Sequence, residues 1–293
     1  MTEKKVRGLE DMPPYTKLNY FKILIIMANT NGEVTQLEMV ELYRLMAKNK
    51  LSQVDRLVLL SWMEEERHNQ LLELCDNLYE ELNDQEKNII RFSLIKDLII
   101  IMGADNYEAP EEMELFNKMK EIFCITEEQL GFLKEEYETD KTFFAEETTD
   151  NSWYDKFEET FLTATAIGVP ITVLYYQGSF KREWSLCRRL YRKPTLPGNI
   201  AKAVVLGGAS YKMLKWFLEG KRKKAHKLKE ALFEAASKVH ERADDYLTKD
   251  IQKIQEELQH TKEEVGQRKA LNHRAVLLQK TLGNLRSRKP QLL

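Results

Sequence analysis

The chain has 293 residues, 43% apolar and 31% charged, which excludes a wholly disordered chain and a polytopic membrane protein and suits one or two domains with full cores. Scarce Gly (12) and Pro (7) disfavour turn-rich β folds, and three widely spaced cysteines, Cys75, Cys124 and Cys187, make neither a disulfide framework nor a paired metal-ligand spacing. The net charge of −2 conceals two poles: residues 1–150 carry 17 Lys/Arg against 32 Asp/Glu, and residues 151–293 carry 28 against 15.

Residues 1–14 read as a flexible polar start without a targeting pattern. Tyr20–Ala28 is strongly apolar but too short to span a bilayer. Thr35 followed by Glu38 is a capping box, and Leu37, Val40, Leu42, Leu45 and Met46 recur at helical spacing, so two helices joined by Asn29–Val34 are expected. A Ser-capped helix over Ser52–Leu60 follows, and Trp62–Leu82 continues with Leu71, Leu74, Cys75 and Leu78 on one stripe. Asn83 or Asp84 caps an apolar helix reaching Met102. Helices over Glu111–Phe123 and, capped by Thr126, Glu127–Tyr137 complete an acidic unit. The fold class expected is all-α.

Two stretches of this unit repeat a pattern: an apolar helix, a polar turn, and a helix led by Glu. Asn31 stands seven residues before Glu38, and Asp105 seven before Glu112. On these residues, positions 16–137 resemble the TerB-like (tellurite-resistance B) family, whose all-helical domain carries such an acidic turn twice. Asn31 replaces the Asp usual in the first turn, and Asn106 the Gly usual in the second. Asn31, Glu33, Glu38, Asp105, Glu108 and Glu112 are the oxygen ligands such turns could offer a divalent cation, calcium or magnesium. The same residues also suit turn and helix capping, and the spacing is not that of an EF-hand.

Residues 139–159 read as an acidic linker. Thr160–Phe180 is uncharged over 21 residues, but its four Thr, two Gly and one Pro make it a poor spanning segment. A second weakly charged run, Asn199–Leu218, centres on Gly207-Gly208. A soluble hairpin over residues 160–220, an interfacial hairpin on a membrane and a true span all remain open. Lys181, Arg182, Arg188, Arg189, Arg192 and Lys193, interleaved with Trp184, and then Lys221, Arg222, Lys223 and Lys224, form the expected membrane- or anion-binding surface.

Residues 221–293 read as a long basic helix. Leu247, Ile251, Ile254, Leu258 and Val265 keep a 4-3 alternation that degrades after Arg268. That seam fits either an intermolecular coiled coil, and so a homo-oligomer, or a fold-back into a bundle within one chain. The opposed charges of the two halves would likewise attract within or between chains.

No phosphate-binding glycine loop, nucleophile elbow or zinc-binding His pair occurs. The expected function is a non-catalytic adaptor, cytoplasmic or membrane-associated. The family resemblance implies bacterial stress response or defence and a protein partner such as a separately encoded ATPase or GTPase. The alternative is a nucleic-acid-associated accessory protein working through the basic half.

Overall fold

A computed structural model describes residues 7–64, 70–105, 109–142, 160, 163–164, 167–169, 223–260, 265–288 and 290. Side chains are described from residue 233 onward in the helix that begins at Lys223. The basic residues 181–222, the run 199–218 and Glu108 lie outside the described residues. All regular structure among the described residues is helical, as the sequence led one to expect.

Helix α1 (Pro14–Ala28) and helix α5 (Asp84–Met102) form the centre. The stretch Tyr20–Ala28 is buried on nearly every side, which is why it shows no amphipathic stripe. Helices α2 (Gln36–Lys48), α3 (Gln53–Trp62) and α4 (Leu71–Leu78) pack around α1. Helices α6 (Pro110–Ile122) and α7 (Glu127–Thr142) pack on α5.

The repeat seen in the sequence is structural, with an offset of 74 residues. Helices α1, α2 and α3 end or begin at Ala28, Gln36 and Gln53, and α5, α6 and α7 at the corresponding Met102, Pro110 and Glu127. Even the turns match. The N–H of Leu51 reaches the carbonyl of Met46, with Lys50 at φ 54°. The N–H of Ile125 likewise reaches the carbonyl of Lys120, with Cys124 at φ 50°. Both are Schellman ends with a non-glycine residue in the left-handed region.

Three boundaries differ from the sequence reading. The start is not loose from residue 7 onward. Arg7 grips Glu86 at 2.7 and 3.1 Å, and Leu9 and Met12 are buried under a short 3₁₀ turn. The apolar stripe after Trp62 does not continue α3. The carbonyl of Met63 accepts from Asn29, and Glu64 is held by Arg274, so tertiary contacts end that helix. Helix α7 runs to Thr142, into the expected linker, because Asp140 is buried against Lys96 at 2.9 Å.

The single long C-terminal helix is also corrected. Helix α8 (Lys223–His260) and helix α9 (Val265–Ser287) fold back on each other, and both pack against α2. Ala243, Leu247, Ile254, Leu278 and Leu285 therefore join the same core as α1 and α5. The 4-3 seam of α8 is filled by the chain itself.

Candidate functional site: paired turns and a charged seam

The repeat brings its two polar turns together. Asn31 Nδ2 donates to Glu112 Oε1 at 3.2 Å. Glu112 Oε2 accepts from the N–H of Ala109, and Glu38 Oε2 accepts from the N–H of Thr35 at 2.7 Å. Each glutamate thus reaches back over its own helix start. Burial, opposed by the Thr35 hydrogen bonds and aided by the charges of Glu112 and Asp105, pushes the Glu38 carboxyl up to about 7. Asn31, Glu38, Asp105 and Glu112 are therefore neighbours, and Glu33 is exposed on the loop between α1 and α2.

The donor set was tested against a divalent cation. Calcium and magnesium need several free oxygens. Here Glu112 spends both carboxylate oxygens, and Glu38 one, on hydrogen-bond donors of the fold. Among the described residues no group of three or more His, Cys, Asp or Glu side chains is placed to hold a metal ion. In this arrangement the turns close on each other through the Asn31 amide.

A second cluster binds the C-terminal hairpin to the acidic unit. Arg56 on α3 donates to Asp250 on α8 through Nε at 2.8 Å and Nη2 at 2.7 Å, and Tyr43 on α2 donates to the same carboxylate at 3.0 Å. Arg56 is 2% and Asp250 0% exposed, so this ion pair is shut off from bulk solvent. Its remaining needs are met locally. Arg56 Nη1 donates to the carbonyl of Leu51, and the guanidinium lies 3.7 Å from the centre of the Tyr246 ring. Toward the rim, Arg274 holds Glu64 and Arg288 holds Glu41, while Arg286 on α9 holds Asp244 on α8 and so closes the hairpin itself. The Arg286 hydrogen bonds keep the Asp244 carboxyl below its ordinary range. Arg242 adds a hydrogen bond to the carbonyl of Ala47.

None of these pairings is visible as a motif. Arg56 and Asp250 are 194 residues apart. The available signal was coarse: an acidic half, a basic half, and an Asp inside an otherwise apolar stripe between Leu247 and Ile251.

A third group is buried between α5, α7 and α2. Lys96 pairs with Asp140, and Tyr20 donates to Asp97 at 2.7 Å with Lys48 4.0 Å from its other oxygen. Glu136 is the odd carboxyl here. Burial, and then the nearby Asp140, push it up to about 7 although Lys96 opposes this. It accepts from the hydroxyl of Thr160 at 3.1 Å.

Thr160 opens the uncharged run. Gln129 Nε2 on α7 donates to the carbonyl of Ile167 at 2.8 Å, and Ala164 and Val169 are buried. Of the described residues of the run, Ala164 and Val169 are thus buried, while Thr163 and Gly168 are exposed. No described helix is long and apolar enough to cross a membrane. Of the expected membrane- or anion-binding residues, Lys223 and Lys224 lie at the start of α8 as backbone, and Lys181 to Arg222 lie outside the described residues.

No family model, curated protein or solved structure matches the chain.

Proposed function

We propose that the protein is a non-catalytic adaptor: an acidic, TerB-like helical unit and a C-terminal helical hairpin act as one platform that holds the basic segment between them. The observation that carries this reading is the buried Arg56–Asp250 pair with its Tyr43 and Tyr246 partners. It joins the two ends of the chain around the segment that contains Lys181, Arg182, Trp184, Arg188, Arg189, Arg192 and Lys193. On one side of that segment Thr160 is held by Glu136 of α7, and on the other α8 begins at Lys223, so both of its flanks belong to the platform. Its chemistry suits an anionic membrane surface or an acidic protein partner. By the family resemblance, that partner is an ATPase or GTPase in bacterial stress response or defence.

The test is co-sedimentation of the full chain with phosphatidylserine vesicles, titrated with salt, beside pull-down of the same chain from its source cells. Binding lost on Arg188→Glu with Arg189→Glu, in a variant that melts like the parent, is the expected result. Vesicle and protein binding both unaffected by that reversal would remove the proposal.

A further inference from the structure

Helix α9 has no acidic residue over its 23 positions, in a chain that holds 47 Asp and Glu. It carries Arg268, Lys269, Arg274, Lys280 and Arg286, and these divide by surroundings. Arg274 and Arg286 are each clamped in two-pronged fashion, on Glu64 and Asp244, and so are neutralised at the seam. Arg268, Lys269 and Lys280 are exposed and form no ion pair among the described residues.

The placement follows from helical spacing. Ala275, Leu278, Thr281 and Leu285 are buried, facing α8 and α2. Lys269, His273, Val276 and Lys280, flanked by Asn272 and Gln279, are all exposed and recur at intervals of three and four, on the outward side. An ordinary solvated face mixes both signs of charge. This one offers cations and neutral amide and imidazole donors only. Its single exposed apolar side chain, Val276, is too little for a helix lying in a membrane interface, which needs an apolar face.

On α8, which packs directly on α9, exposed acids Glu234, Asp245 and Glu256 are each held by a lysine of the same helix, Lys238, Lys249 and Lys253, and the acidic α6 and α7 lie farther off. Helix α9 packs on α2, α2 on α5, and α5 on α7. Each step is about 8–10 Å, while exposed charges are screened over about 8 Å at physiological salt.

We infer that the outward stripe of α9 binds the phosphodiester backbone of a nucleic acid. Lysines supply point charges and the amides donate to phosphate and sugar oxygens, so the contact positions a strand and does not read its sequence. This site is separate from the basic segment on which the adaptor reading rests. At 1.5 Å per residue α9 is about 35 Å long, which covers roughly 10 base pairs.

The experiment is fluorescence anisotropy of a labelled duplex of about 20 base pairs, twice that footprint, titrated with the full chain. Neutralising three phosphates predicts that raising salt from about 50 to about 200 mM weakens binding roughly 40-fold. Lys269→Glu with Lys280→Glu changes only exposed side chains that form no ion pair among the described residues, and the pair is compared with the parent once a circular dichroism melt shows the same transition. That pair should weaken binding at least tenfold and lower the slope of log affinity against log salt by about 1.8. Absence of binding overturns the inference. So does binding that the pair leaves unchanged, which would belong to another basic segment. Loss of vesicle binding, without any duplex binding to lose, would reassign the stripe to anionic lipid and equally overturn it.

Discussion

At the residue scale, buried charge decides most of what is testable. Arg56 and Asp250 meet where neither can be solvated, so the two must be kept or replaced together. Arg56→Met leaves the Asp250 carboxylate with only Tyr43 and should cost about 3–5 kcal/mol in urea unfolding of the full chain. Adding Asp250→Leu should recover part of that loss, and failure of the double variant to improve on the single one would show that packing, not charge, dominates here. Glu38 and Glu136 act differently. Burial first, and neighbouring acids second, push both carboxyls up to about 7 from the ordinary 4.5. The folded chain therefore holds protons there that the unfolded chain releases, and the associated stability is lost as pH rises from about 4.5 through about 7. Glu86, held down by its Arg7 hydrogen bonds, and Asp244 have the opposite sign and lose their contribution as pH falls below the ordinary carboxylate range. Unfolding free energy is expected to peak near about pH 5 and to be lower at about pH 8. Glu38→Gln should flatten that decline, since the amide oxygen still accepts from Thr35 and carries no charge to desolvate.

At the element scale, helix starts were legible in the sequence and helix stops less so. Thr35 with Glu38, Asn83 with Glu86, and Thr126 with Gln129 are all reciprocal caps, formed within four residues of chain. Such contacts need no tertiary partner, which is why the spacing alone located α2, α5 and α7. The end of α3 depends on Asn29 and Arg274, distant in sequence, and the stripe of apolar residues running on from Trp62 concealed it. The packing of the second repeat makes a sharp demand at one glycine. A side chain on Gly103, at the end of α5, would collide with the ring and hydroxyl of Tyr137 on α7. Gly103→Ala should cost about 1–3 kcal/mol by forcing that ring aside. Shortening the clashing group with Tyr137→Leu should restore part of the loss in the same thermal melts.

At the scale of the whole molecule, the two charge poles are bound into one body by α8 and α9 lying on α2. A chain ending at Thr142 would expose the α2 face that Leu247, Ile251, Leu278 and Leu285 cover. It should be insoluble or lack cooperative unfolding, and residues 223–293 supplied as a second chain should restore a soluble complex. A fragment 1–142 that melts cooperatively by itself would contradict this. The candidate site divides along the same line. Asn31, Glu38, Asp105 and Glu112 could be picked out because a repeat is a pattern in one dimension, and the fold does place them side by side. That Asn31 closes on Glu112, leaving neither oxygen of that carboxylate without a donor, could not be read, because it depends on the angle at which one turn meets the other.

The order of amino acids by itself determined the helical class, the caps, the duplicated turn and the separation of charge. Each of these is set by neighbours within a few residues or by bulk composition. Tertiary structure alone decided that the C-terminal seam is filled from within, that Arg56 finds Asp250, and that Ala164 and Val169 of the uncharged run are buried. Burial is a property of what lies across a contact, and no local pattern encodes which distant surface that will be.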